Sequence, residues 1–269
     1  MTGFSSLQAV SIGPIAEAVL TDTRQGVVMG CSSQGIFIRA GKETSEPFSG
    51  PNPIIFLSNE RFRGPLTVNF QGIAPAPERV SPGMEVTISS EMAAIPDAGI
   101  EFSMAGCPVW QVPSRPAHLP KPQRSRILDQ FVSSIPDWES IQSDWCVTLE
   151  GADQLLGKGE GLTPFGDDVL IGLLLALNRW GDVLRPETDV EQFNCEIAAA
   201  AHEKTTTLSA SLIECAARGQ ADERLIRTID HLMGDNPHPD KICDNLLQWG
   251  HSSGLGTLIG MAIAIRHHA

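Results

Sequence analysis

The spacing of apolar residues changes partway along the chain. Up to about residue 112, the apolar runs are strand-sized, and clusters of Gly, Pro, Ser and Asn separate them. These runs are GVVMG from residue 26, GIFIRA from 35, PIIFLSN from 53, LTVNF from 66, EVTISS from 85 and IEFSM from 100. Short strands at regular intervals predict a barrel or a sandwich.

Beyond residue 123 the apolar period is helical, as in SRILDQFVSSI from Ser125. The apolar run from Val169 to Leu177 predicts a buried helix and is too short to span a bilayer. Between the two patterns, the proline-rich segment at 113–123 predicts a linker or an extended strap. We therefore predict an α+β fold, with a β-rich domain at 1–118 and a mainly α-helical domain at 119–269.

Composition narrows the classes of partner. The net charge of -13 and the sequence pI of about 4.9 argue against binding to nucleic acid. The six cysteines have no paired spacing, which argues against a structural zinc site and favours reduced thiols. The first residues lack the pattern of a signal peptide, so we expect a cytoplasmic protein that does not bind membranes.

The segment LLGKGEGLTPFGDDVLIG, at residues 155–172, carries the strongest functional pattern. Its loop glycines free the backbone, so that main-chain N–H groups can turn toward a ligand. Thr163 is expected to cap the following helix, and Pro164 suits the first helical position. Asp167 and Asp168 then fall in the first turn, where they either complement the helix dipole or bind a hard cation such as Mg²⁺.

Two later segments resemble this one in character. In HEKTTTLSAS, at 202–211, the hydroxyls of Thr206 and Ser209 share a predicted helix face with Lys204 or His202 nearby. These hydroxyls either bond to carbonyls of their own helix or face a bound anion. In GHSSGLGTLIG, at 250–260, a serine caps a small-residue helix whose glycines permit close approach by a ligand or another backbone.

Taken together, the motifs GxGxGLTPxGDDxLxG, TTxxS and GHSSGxxxLxG resemble the AllH (YlbF-like) family. Its characterised members are subunits of an oxamate carbamoyltransferase in anaerobic allantoin degradation, a part of purine and nitrogen metabolism. The resemblance implies that phosphate attacks the carbamoyl group of oxalurate, giving oxamate and carbamoyl phosphate, or the reverse. It also implies that activity needs other subunits, one of which resembles acyl-CoA synthetases.

This chemistry assigns expected roles to residues of the three motifs. Asp167, Asp168 and His251 are the expected catalytic residues, and the two aspartates are also the expected ligands of Mg²⁺, the one cofactor considered. The family's third motif has an acidic residue where this chain has Gly256, which therefore receives no ligand role. The residues expected to bind the small anionic substrate are Gly159, Gly161, Thr163, Gly166, Lys204, Thr206, Ser209, Ser252, Ser253 and Gly254.

Two other functions fit the same residues. A glycine-rich loop followed by paired aspartates also suits a Mg²⁺-dependent phosphotransferase or hydrolase, although the sequence has no Walker-type GK[ST]. Alternatively, the chain is a non-catalytic assembly subunit whose glycines serve only to let helices pack closely. A homo-oligomer is also among the partners considered.

Overall fold

The structure, a computed structural model, describes residues 5–41, 53–70, 77–133, 135, 148–184, 189–234 and 245–268. It divides into two compact units, Met1–Gln111 and Val112–Ala269. The domain boundary expected from the sequence, between residues 118 and 119, lies inside the second unit. The predicted order, with strands first and helices second, is confirmed.

The first unit is a closed barrel of eight strands. Around the barrel the order is β1-β5-β4-β3-β2-β6-β7-β8, and β8 pairs with β1. Neighbouring strands are antiparallel except for β1 with β8 and β4 with β5. The strands are β1 Ser5–Ile12, β2 Gln25–Ser32, β3 Gly35–Ala40, β4 Ile54–Ser58, β5 Thr67–Phe70, β6 Glu85–Ser89, β7 Met92–Ile95 and β8 Ile100–Ser103.

Alternating residues build the interior of the barrel. In β3, Ile36 and Ile38 are buried, whereas Arg39 between Ile38 and Ala40 is exposed. The rings of Phe70 and Phe102 are both buried, with centroids 5.3 Å apart. Because β8 pairs with β1, the sheet closes and has no free edge. This closure distinguishes the barrel from a sandwich.

Within the described part of the first unit, two strands and one α-helix were not predicted. They are β1, β7 and the helix α1, Pro14–Asp22. Gly13 links β1 to α1, and a Cβ atom there would lie only 2.1 Å from the carbonyl oxygen of Gly64. The close approach of these two backbone segments therefore requires glycine.

The second unit is helical and is organised around the long helix α4. Nearly every side chain of α4 from Gly166 to Trp180 is buried, and α4 packs along α8 and against α3, α5, α6 and α7. The helix α2 begins inside the predicted linker, because Pro122 is tolerated in a first turn. The helices are α2 Lys121–Val132, α3 Leu149–Leu155, α4 Phe165–Leu184, α5 Val190–Lys204, α6 Thr207–Ala217, α7 Glu223–Met233 and α8 Ser253–His268.

Glycines set the close crossing of α4 and α8. A Cβ atom at Gly172 would lie 2.0 Å from the carbonyl oxygen of Thr257, and one at Gly260 would lie 1.9 Å from that of Val169. Either substitution would force the two helices apart. These glycines therefore serve packing inside the chain, which brings the start of α8 to the start of α4.

Two further expectations concerned thiols and membranes. Cys31, Cys107, Cys195 and Cys215 form no disulfide, and the other two cysteines lie outside the described residues. In the part of the chain that the structure describes, no helix combines the length and the apolar composition that a bilayer crossing needs.

Candidate functional site

The loop between α3 and α4 depends on glycine for its shape. Gly157, Gly159 and Gly161 have φ angles of 71°, 118° and 99°, a region that side chains disfavour. A Cβ atom at Gly157 would also lie 2.5 Å from the carbonyl oxygen of Lys204, and one at Gly159 would lie 2.6 Å from the nitrogen of Phe165. The predicted glycine loop is thus a defined structure with two sterically locked positions.

One side of this loop is fastened to the turn between α5 and α6. Asp167, fully buried in the first turn of α4, accepts a hydrogen bond from the N–H of Gly157 at 2.7 Å and another from the hydroxyl of Thr205. The hydroxyl of Thr206 donates to the carbonyl of Leu162 at 2.6 Å. We call these five residues the loop clasp. It joins the first sequence motif to the second.

The other side of the loop meets the start of α8. The hydroxyl oxygens of Thr163 and Ser253 lie 3.1 Å apart, within hydrogen-bond distance, and both side chains are half-buried. We call them the hydroxyl pair. They join the first motif to the third, so all three motifs converge on the first turn of α4. The α4 helix starts at Phe165, one position later than the start that the sequence placed at Pro164.

Asp168 lies behind the hydroxyl pair in an unusual environment. Its side chain is 1% exposed, and neither carboxyl oxygen has a hydrogen bond of regular geometry within the described residues. Burial raises its pKa from the ordinary 3.8 to about 7; the Asp167 charge adds to the rise, while the nearby Ser253 and Thr163 hydroxyls lower the pKa in part. A group that titrates near neutral pH in such a place is typical of functional sites.

Gly256 explains how Asp168 is covered. A Cβ atom at position 256 would lie 2.7 Å from the Cβ of Asp168 and 3.4 Å from the ring of Phe165. The absence of a side chain lets α8 pack directly against the side chain of Asp168. Gly256, which received no ligand role from the sequence, therefore makes room for Asp168.

Only some of the predicted backbone donors are free. Within the described ranges, the N–H groups of Gly159 and Gly161 have no hydrogen-bond partner in the chain. Those of Gly166 and Gly254 donate to backbone carbonyls at 2.8 Å and 3.1 Å. The loop can therefore offer a ligand two N–H donors, both on glycines with left-handed backbone.

The segment at 202–211 is a break between two helices instead of one helix face. Helix α5 ends at Lys204, and Thr206 caps α6 by accepting a hydrogen bond from the N–H of Ser209 at 3.1 Å. Lys204 forms two bonds with the carboxylate of Asp153, at 2.5 Å and 2.6 Å. Threonines are frequent here because they end and begin helices. The substrate-binding roles of Lys204, Thr206 and Ser209 stay predictions.

The aspartate pair does not offer a cation two free carboxylates. Both oxygens of Asp167 accept hydrogen bonds within the loop clasp, which leaves Asp168 as the single free carboxylate. Among the residues that the structure describes, no three His, Cys, Asp or Glu side chains cluster as metal ligands. The donor set does not fit the two-carboxylate Mg²⁺ site that the sequence suggested, and no step proposed below passes through a cation.

Two predicted residues precede α8. The side chain of His251 is exposed and that of Ser252 is half-buried, both in the turn that leads to Ser253. The sequence reasoning missed Thr205, although it directly follows α5 and stands beside the predicted Thr206. A run of threonines after a helical pattern is the feature that could have pointed to it.

The site thus combines free N–H groups in the loop before α4, a half-buried hydroxyl pair and a buried carboxylate. Such an arrangement of polar groups is suited to binding a small ligand. Residues 155–265 match the model of the AllH family, described as oxamate carbamoyltransferase subunit AllH. This range contains all three motifs, so the resemblance is confirmed over that part of the chain. No solved structure matches the chain.

Proposed function

We propose that this chain is a subunit of an oxamate carbamoyltransferase that interconverts oxalurate plus phosphate with oxamate plus carbamoyl phosphate. The observation that carries the proposal is the convergence of the three motifs on one polar site beside Asp168. The family match over residues 155–265 supports the reaction class. We also propose a role in allantoin degradation, which the resemblance to the family implies.

In the proposed reaction, a phosphate oxygen attacks the carbamoyl carbon of oxalurate, and the bond from that carbon to the oxamate nitrogen breaks. The nitrogen gains a proton as oxamate leaves. Charge develops on the carbamoyl oxygen in the transition state, and preorganised N–H donors lower the energy of that charge. The free N–H groups of Gly159 and Gly161 are suited to this role.

Phosphate requires positive potential, and the net charge of the chain is negative. Lys158 is exposed in the glycine loop, and its side chain makes no ion pair within the described part of the chain. We assign it the role of balancing the phosphate charge. His251 is proposed as the source of the proton for the departing nitrogen.

The test is phosphate-dependent cleavage of oxalurate, followed as formation of carbamoyl phosphate. The chain is assayed alone and after reconstitution with its partner subunits, which we propose to include an acyl-CoA-synthetase-like protein. We expect activity only in the reconstituted enzyme and its loss with Asp168→Asn. The matched control is Asp182→Asn, at the exposed end of the same helix. A folded, active Asp168→Asn enzyme would refute the role of Asp168, and inactivity of a verified complex would refute the reaction.

The assembly role has one observation in its favour, since Gly172 and Gly260 serve helix packing. That packing is within the chain, however, and leaves the free N–H groups and the bare carboxylate unexplained. If the reconstituted enzyme stays active when Asp168, Thr163 and Ser253 are each replaced, the assembly role is favoured over the catalytic one.

A further inference from the structure

A buried carboxylate without hydrogen bonds is the least explained group in the second unit. Asp168 is 1% exposed, and both of its oxygens are covered. Its desolvation is costly, so the protein retains it against a stability penalty. Because a ligand cannot reach these oxygens, Asp168 can affect a ligand only through the groups that separate it from solvent.

Two of the groups beside Asp168 are the half-buried hydroxyls of Thr163 and Ser253. Both lie close enough to Asp168 to lower its pKa, and they lie 3.1 Å from each other. Hydroxyl protons rotate freely, so they turn toward a negative charge. An ionised Asp168 would turn one hydroxyl proton toward its carboxylate, and the other hydroxyl would then donate to its partner hydroxyl. Both protons are then used, and the outward face of the pair presents only oxygen lone pairs.

We propose that Asp168 is a positioning residue that makes the Thr163–Ser253 hydroxyl pair a hydrogen-bond acceptor for the primary amide N–H₂ of the substrate. The proposal rests on the proposed function for its choice of substrate and assigns the amide end of oxamate to this pair. The carboxylate end of oxamate then lies on the side away from the hydroxyl pair, so that the free N–H groups of Gly159 and Gly161 stay available for the carbamoyl oxygen. The site would accept a small monoanion that carries an amide and reject the matching dianion.

The rejection has two physical causes. A carboxylate in place of the amide would bring its lone pairs against those of the hydroxyl pair. It would also place a second negative charge beside Asp168 and near Asp167, in a site where little water screens the repulsion. Sites built to pair with a particular N–H or O–H discriminate strongly against analogues that lack it.

The experiment compares the affinities of oxamate and oxalate, which have nearly the same shape, by calorimetry on the full chain and on the reconstituted enzyme. Measurement at about pH 8.5 keeps Asp168 ionised, above its pKa of about 7. We expect wild type to prefer oxamate and Asp168→Asn to lower this preference about tenfold or more, because the asparagine N–H₂ donates to a hydroxyl and releases a proton outward. Ser253→Ala and Thr163→Val should also lower it, and Asp182→Asn should leave it unchanged.

The preference is the quantity that separates positioning from a merely structural role. If Asp168→Asn weakens both ligands equally, the residue only supports the fold and the inference is wrong. If wild type binds both ligands equally, or neither, the amide subsite is also refuted, while the phosphorolysis assay still decides the proposed function. Should Asp168→Asn fail to fold, an unchanged preference in both Ser253→Ala and Thr163→Val would overturn the inference.

Discussion

The first turn of α4 contains two adjacent aspartates that are equally buried but differ in their hydrogen bonding. On the side of the loop clasp, Asp167 accepts hydrogen bonds from Gly157 and Thr205. On the side of the hydroxyl pair, Asp168 has no regular hydrogen bond, and burial raises its pKa to about 7. One carboxylate holds the loop together, and the other destabilises the fold at a place where a ligand is expected to bind.

This difference separates structure from function within a single motif. A carboxylate whose charge is satisfied stabilises the native state, whereas an unsatisfied one is retained for chemistry or recognition. The two aspartates of the GDD motif therefore have different roles. Asp167 fixes the shape of the glycine loop, and Asp168 is the residue that we expect to act on a ligand. Substitutions on the two sides should change stability in opposite directions.

The largest effect on stability is expected from Asp167→Ala. It removes the acceptor for the Gly157 N–H and the Thr205 hydroxyl, and hydrogen bonds to charged groups contribute roughly 1.5–3 kcal/mol each. Because removing the buried charge offsets part of this, we expect the free energy of unfolding to fall by about 3 kcal/mol in urea denaturation. Asp182→Ala, which breaks an exposed ion pair with Arg115, should cost less than about 1 kcal/mol. Equal losses in the two variants would contradict the clasp.

Asp168→Asn should have the opposite sign. The pKa of Asp168 is 3.8 ordinarily and about 7 in the folded chain, so the folded state binds more protons between these values. The contribution of Asp168 to stability should therefore fall as the pH rises from about 4 to about 7 and then level off. We expect the variant to be as stable as wild type near pH 4 and more stable by about 2 kcal/mol at pH 8. Thermal unfolding at the two pH values measures this difference, and a constant difference across the range would contradict it.

The sequence could predict those strands and helices whose own side chains have the composition typical of the element. Short β-branched runs such as GIFIRA identified six strands of the barrel, and a continuous apolar run identified α4. The strand β7, with the sequence MAAI, was missed because it has few β-branched or aromatic residues. The strand β1 begins with two serines, and its pairing with β5 and β8 is set by distant segments.

In the candidate site, too, the features that depend on distant segments could not be predicted from the local sequence. The sequence placed Asp167 and Asp168 together, and the roles implied by the family resemblance drew on all three motifs. It could not tell the aspartates apart, because successive helical residues point about 100° apart and their surroundings come from α5, α6 and α8. Nor could it show that the lysine predicted to bind substrate pairs with Asp153.

That lysine provides the smallest expected effect and a test of where the site ends. Lys204 contacts Asp153 on the surface, with 44% and 39% of the two side chains exposed, so Lys204→Met should change the free energy of unfolding by less than about 1 kcal/mol. We expect it to leave oxamate affinity unchanged, whereas Lys158→Met should weaken phosphate binding because Lys158 has no ion pair within the described residues. Calorimetric titrations of both variants with oxamate and with phosphate test these two expectations. A large loss of oxamate affinity in Lys204→Met alone would extend the binding site onto the clasp side, and the division between a structural and a functional side of α4 would fail.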